Sequence, residues 1–221
     1  DSVASRGLGD VYKRQQLSGI YGELKQESNQ LTALEAAFDQ ELLDKKNDIS
    51  TVSELLLFSA ARAQLVQENI IPALASGTIV ILDRFYDSTI AYQGYGKGVP
   101  IEIIEQLNKI TINDLSPDLT ILLDIDPDLS TKRINKNINI ELSSINDKKR
   151  KSKRENFEGN KYENMSVNFH KKVREGYLQL ANEKRSRWSI VGAHQSESRV
   201  ADSIWKRVKR LIDNHKSFRE I

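Results

Sequence analysis

Three groups of residues have the types and spacing to do chemistry. Asp83 and Arg84 follow directly on the apolar run Ile79-Val80-Ile81-Leu82 and lead into the polar, aromatic stretch Phe85-Tyr86-Asp87-Ser88-Thr89-Ile90-Ala91-Tyr92-Gln93-Gly94. A guanidinium presents a planar fork of donors that matches a phosphate, so Arg84 is a candidate anion ligand. Asp83 beside it can hold a divalent cation such as Mg²⁺ through water, or orient Arg84, or simply form a structural ion pair with it. Phe58 and Arg62 are four residues apart, one turn apart on one face of a helix. That pairing suits a ring that stacks on a base and an arginine that donates to the base's carbonyl. It suits equally a core phenylalanine beside a surface arginine. The third group is the basic run Lys148-Lys149-Arg150-Lys151-Ser152-Lys153-Arg154, which reads either as a solvated loop or as cations that reach an anion.

Composition narrows the classes. With 221 residues, 38% hydrophobic and 29% charged, the sequence has the size and core of one α/β domain, at most with a small lid. The formal net charge of +2 is nearly balanced and does not call for a nucleic-acid partner. There is no cysteine, which excludes disulfides, thiolate zinc sites and cysteine nucleophiles. His170, His194 and His215 are too scattered to form a metal site. No apolar run approaches the roughly 20 residues of a membrane span, and a cytoplasmic location is the expectation.

The elements that position these groups follow from periodicity. Ile79–Leu82 lacks alternation, as a strand buried on both faces does, and the strand is predicted over Thr78 to Leu82. Ligands collect at the carboxyl ends of parallel strands, which is where Asp83 and Arg84 fall. A second buried strand is predicted over Leu119–Ile125 and a third over Trp188–Val191. Helices are expected over 16–44, over about 53–75 with a bend at Pro72, from Pro100 to Ile110, from about 128 to 136, from about 163 to 183 and from about 197 to 214. Gly94, Gly96 and Gly98 read as flexible loop glycines. Asn137 to Asn160 is polar and basic and is expected to be a mobile loop or lid. Residues 1–15 show neither period nor apolar face and are expected to be artefactual or disordered. The rest, 16–221, reads as a single α/β domain, a three-layer parallel sheet with helices on both faces.

The ordered segment Asp83-Arg84-Phe85-x-x-Ser88-x-x-Ala91-Tyr92-Gln93-Gly94 resembles the signature of thymidylate kinases, which phosphorylate dTMP to dTDP with ATP. The resemblance runs from about Leu42 to the last helix, apart from the basic loop, roughly four-fifths of the sequence. It implies a P-loop kinase fold, ATP as co-substrate, Mg²⁺ and a homodimer. It assigns Phe58 and Arg62 to the thymine base and Arg84 to the 5′-phosphate of dTMP. Ser88, Thr89 and Gln93 become polar contacts near the base. Tyr92 becomes the residue that crowds the sugar's 2′ position, and Tyr177 a second site tyrosine. The lid of the family carries Asp-Arg-aromatic-Glu where this sequence has Asn160-Lys161-Tyr162-Glu163. Arg133, Arg150 or Arg154 is therefore the expected cation on the transferring phosphoryl group.

One family feature is missing. No G-x-x-x-x-G-K-[ST] loop, which cradles ATP phosphates, occurs in the sequence, and no proline precedes Pro72. The expectation is an N-terminally truncated product, with the central P-loop strand and the ATP cradle upstream and little activity alone. The alternatives are a related P-loop nucleoside or nucleotide kinase, and a non-catalytic nucleotide-binding remnant.

Overall fold

A computed structural model describes residues 49–133, Tyr162 and 165–219. The predicted helix over 16–44, the segment 1–15 and the basic run with Arg150 and Arg154 lie outside the described residues.

The first helix among the described residues, α1 (Thr51–Leu65), starts where the Ser50 side chain caps it by accepting from the Ser53 N–H at 3.2 Å. It runs into a π-helical turn at Val66–Ile70 and then α2 (Ile71–Ala75), with Pro72 in the first turn of α2. Proline offers no N–H to the preceding turn, and the helix widens there instead of breaking. Gly77, at φ +80°, closes the element.

After an irregular passage, α3 (Tyr86–Thr89) continues as a π-helix over Ile90–Gly96. Pro100 then sets the start of α4 (Ile101–Ile112), which ends at Asn113 in the left-handed conformation, φ 50°. Strand β1 (Thr120–Asp124) is followed by a helical segment at 127–133. Helix α5 (Val167–Glu183), capped by Ser166, leads into β2 (Trp188–Gly192), and α6 (Glu197–Arg219) closes the chain. β1 and β2 pair in parallel, Thr120 opposite Trp188 through Asp124 opposite Gly192. Parallel neighbours need a crossover, and α5 lies within it.

Two expectations are corrected. Residues 78–82 form no strand: Ile79 and Ile81 are 58% exposed, and only Val80 packs on the core. A strand exists by its ladder hydrogen bonds, and among the described residues the only ladder is that between β1 and β2. The glycines at 94 and 96 are not in a loop but in the π-helix, where their lack of a side chain sets the packing. A Cβ at Gly96 would lie 2.6 Å from the Phe169 ring, and one at Gly176 on α5 would lie 2.6 Å from the Tyr95 ring. Each helix thus offers a glycine to an aromatic of the other, and this reciprocal fit brings the Tyr92–Gln93 segment against α5.

The main core gathers Leu55, Val66, Ile70, Ile90, Ile104 and Leu180. A smaller cluster of Ala91, Tyr162, Phe169 and Val173, with Phe58, Tyr92 and Tyr177 against it, sits between α1, the π-helix and α5. Gly176→Ala is expected to destabilise the fold by about 1–3 kcal/mol, since the Tyr95 ring must leave its place. A urea midpoint equal to that of the parent would refute this account of the junction.

Candidate active site

The aromatic cluster is where the sequence-predicted residues meet. Tyr92 presents its ring edge to Tyr162 (5.2 Å between centroids), Phe169 (6.0 Å) and Tyr177 (6.3 Å), and Phe58 reaches Tyr162 at 6.5 Å. The Arg84 guanidinium stands 5.2 Å from the centre of the Tyr92 ring. Arg84 is exposed, and its backbone is left-handed at φ 70°. For any residue with a Cβ this crowds that carbon against the carbonyl oxygen, a strained state of roughly 1–3 kcal/mol that clusters at functional sites. Asp83 is exposed and, among the described residues, forms no ion pair with Arg84. Its carboxylate is left to solvent.

Arg62 is held in a different manner. Its Nη1 donates to Asn108 Oδ1 at 3.2 Å and its Nη2 to the Thr89 hydroxyl. Burial lowers its pKa to about 10 against the opposing pull of the Asp87 charge, so it stays cationic at neutral pH. Ser88 and Tyr177 share a hydrogen bond of 2.7 Å between hydroxyls, and burial pushes the Tyr177 phenol up to about 12. The structure therefore joins Phe58, Arg84, Ser88, Tyr92, Gln93 and Tyr177 through contacts around one cluster, while Arg62, one helical turn along α1 from Phe58, bonds Thr89. Arg133 stands apart: it is exposed, and its Nη1 donates to the Ala193 carbonyl at 3.3 Å, just past the end of β2. No contact among the described residues links it to Arg84.

Sequence reasoning missed the charges behind this cluster. Glu54 is fully buried; Lys97 Nζ reaches its two oxygens at 2.6 and 2.7 Å, and Gln93 Nε2 reaches one of them at 2.9 Å. The same Gln93 nitrogen lies 2.9 Å from the Tyr162 hydroxyl, which also hydrogen-bonds Glu54. Burial alone would raise the Glu54 carboxyl, but hydrogen bonds from Lys97, Tyr162 and Gln93 outweigh it and hold the group below its ordinary value of 4.5. The signal was present in the spacing: Glu54, Phe58 and Arg62 recur every four residues on one stripe of α1. Asn108 likewise interrupts the apolar stripe of Ile104 and Ile112.

Asp87 was missed too. Its carboxylate receives both Arg187 nitrogens, at 2.9 and 2.7 Å, and Arg187 also donates to Thr120 at 2.6 Å. Arg187 lies over the Tyr86 and Trp188 rings. This buried pair fastens the start of α3 to the start of the sheet. At the carboxyl end of β1, Arg174 grips Asp124 through two hydrogen bonds of 2.7 and 2.9 Å.

Comparison with known proteins now decides the family. The thymidylate kinase family model matches residues 10–155, about two-thirds of the sequence and upstream of Leu42, where the motif resemblance begins. The chain belongs to the thymidylate kinase family. A thymidylate kinase of Thermoanaerobacter sp. (strain X514) is 40% identical over 171 residues, covering 77% of this chain and 74% of its own. One from Chlorobium chlorochromatii (strain CaD3) is 33% identical over an alignment of 221 residues that takes in 96% of each chain. The crystal structure of thymidylate kinase from Ehrlichia chaffeensis superposes with a TM-score of 0.56 at 29% identity, over 80% of this chain and 74% of that one. The α/β kinase fold, and with it the phosphotransferase class, follow from this membership.

Two outcomes are expected of the buried charges in this thymidylate kinase family member. Asp87→Asn leaves Arg187 buried without its carboxylate and lowers stability by about 3–5 kcal/mol, read from chemical denaturation. The depressed Glu54 carboxyl stabilises the fold above its unfolded value and loses that contribution as pH falls through the lower folded value. The fall in melting temperature between neutral pH and acid, below the usual carboxylate range, is therefore shallower in Glu54→Gln than in the parent. An equal slope in both refutes the assignment.

Proposed function

We propose that this chain is a dTMP kinase, transferring the γ-phosphoryl group of ATP to the 5′-phosphate of dTMP in the synthesis of dTTP, and that the cluster above is its acceptor site. The observation that carries the reading is the convergence of Phe58, Arg62, Thr89 and the Arg84–Tyr92 stack from separate segments onto one place. Phe58 supplies a ring for the thymine face. Arg62, held by Asn108 and Thr89 through two of its five N–H groups, keeps the others for a base carbonyl. Arg84 is exposed and so free to take the 5′-phosphate, with Tyr92 beneath it against the sugar. Ser88 and Tyr177, bonded to each other, close the side of the site next to α5.

In the transfer itself an oxygen of the dTMP phosphate attacks the γ-phosphorus in line, the bond to the β-phosphate oxygen breaks, and ADP leaves. The protein's part is positioning and charge neutralisation, with Arg84 on the acceptor phosphate and Arg133, Arg150 or Arg154 on the migrating group. Among the described residues there is no cluster of three or more acidic or histidine side chains that could cage a metal. One open carboxylate, Asp83, suits a Mg²⁺ held mainly by nucleotide phosphates and touched by the protein through water. Such an ion would supply positive charge against the nucleotide phosphates. A cytoplasmic location goes with the reading, since both substrates are intracellular nucleotides. No helix among the described residues is long and apolar enough to cross a membrane.

The homodimer that the family implies is supported by a face shared between α1 and α4. Val52 and Leu56 are 61% and 50% exposed there, and Ile103 and Ile110 are 48% and 80% exposed. An apolar patch of this kind on adjacent helices is what a self-complementary interface needs. Ile110→Asp is expected to shift the sedimenting species from dimer to monomer; a parent chain that sediments as a monomer removes the proposal.

The acceptor site is tested by equilibrium binding of dTMP, which reports that half alone, and by dTDP formation from ATP and dTMP, which reports the whole reaction. Arg62→Ala is expected to weaken dTMP binding roughly 10- to 100-fold without unfolding the protein, a loss typical of a removed charged hydrogen bond. A parent chain that prefers dCMP or dGMP over dTMP would establish a different nucleotide kinase in its place.

A further inference from the structure

The buried Gln93 carries information about the base that the cluster can accept. Gln93 is 2% exposed, and its Nε2 makes two hydrogen bonds, to Glu54 and to the Tyr162 hydroxyl. An amide nitrogen has two protons, and both are thereby committed. Only the carbonyl oxygen remains to meet anything else.

The network also prevents the amide from turning over. Glu54 is kept ionised by Lys97, whose ammonium reaches both of its oxygens, so the carboxylate is an acceptor only. The single proton of the Tyr162 hydroxyl is taken by Glu54, so that oxygen meets Gln93 with a lone pair. A flipped amide would set its carbonyl oxygen against two oxygens with no proton to share, losing two buried hydrogen bonds at once.

We propose that Glu54, held by Lys97, is a specificity-determining positioning residue: it fixes the polarity of the Gln93 amide so that Gln93 meets the acceptor base only as a hydrogen-bond acceptor. The inference rests on the reading of this cluster as the dTMP site. Thymine carries an N–H at ring position 3 beside the carbonyl at position 4, donor next to acceptor. Arg62 offers only donors and Gln93 only an acceptor, which is the complementary pair. Cytosine presents a bare ring nitrogen at position 3, and against it the locked carbonyl oxygen is repelled. Sites built to hydrogen-bond one pattern reject the other strongly because the mismatch leaves buried polar groups unpaired. Glu54 need not touch the nucleotide to do this.

The test compares dissociation constants of dTMP and dCMP for the full chain, its Glu54→Met/Lys97→Met double variant and Glu54→Gln. The double variant removes both charges together, which leaves neither buried alone. It is expected to bind dTMP less tightly and dCMP more tightly, lowering the preference by about tenfold or more, with Arg62 maintaining the remainder. Glu54→Gln is expected to move the ratio in the same direction by less. A merely structural role would weaken both ligands together and leave the ratio unchanged, and an unchanged ratio in a cooperatively melting variant overturns the proposal. A parent chain that binds neither nucleotide overturns the dTMP reading along with it, whereas a parent that prefers dTMP alongside variants with the same preference overturns this inference alone. Should neither variant fold, the Gln93 side-chain amide protons of the parent decide by NMR. Slow exchange with solvent is expected, and free exchange refutes the lock.

Discussion

A carboxylate without solvent, Glu54, is the constraint that the acceptor site is built around. An ionised group cannot be carried into a protein interior unless charge and hydrogen bonds replace the water it leaves. Here the replacements come from separate parts of the chain: Lys97 from just past the π-helix, Gln93 from within it, and Tyr162 from the turn before α5. Each donor must be in place for the others to be tolerated. The helix that carries Phe58 and Arg62 is thereby fixed to the helix that carries Tyr92 and to the turn that carries Tyr162. An apolar core could bring these elements together, but it would leave them free to slide. Directional bonds to one buried anion set their register.

Asp87 and Arg187 do the same at the other end of the signature. Their bidentate contact, with Thr120 as a third partner, ties α3 to the sheet three residues beyond Arg84. Arg84 thus lies between an irregular apolar passage and an anchored helix start, and it takes the left-handed backbone at φ 70°. Strain of this kind persists when the surrounding structure leaves the residue no alternative, and the anchor at Asp87 provides that restriction.

Much of the layout was legible in the sequence because it depends on local signals. Helix α4 begins at a proline, and β2 is a short β-branched and aromatic run between turn residues, whereas the start of α5 at Val167, behind its Ser166 cap, lies four residues past the expected 163. The family membership was legible in the ordered motif Asp83 to Gly94. What was not legible depends on partners distant in sequence. The apolar run at 78–82 has the composition of a buried strand, yet composition cannot supply a ladder. Gly94 and Gly96 look like loop residues until Phe169, seventy-odd positions away, is known to pack on the second of them. Glu54 reads as an ordinary first-turn acid of α1, the solvent-facing position that favours a negative charge near a helix start. Only the four-residue recurrence with Phe58 and Arg62 marks it as facing inward.

The two arginines of the site show why burial and exposure are divided as they are. A base is read by direction, and in the proposed site Arg62 is desolvated and held by Asn108 and Thr89, its remaining donors fixed before any ligand arrives. In the proposed site a phosphate is gripped by charge, and Arg84, its ligand there, stands in solvent with an aromatic ring beside it. Preorganising the first lowers the entropy lost on recognition, and leaving the second exposed avoids burying an unpaired cation in the empty site. The buried anions serve that division. Glu54 holds Gln93, the polar group beside the base in the proposed site, and Asp87 anchors the helix start that follows Arg84.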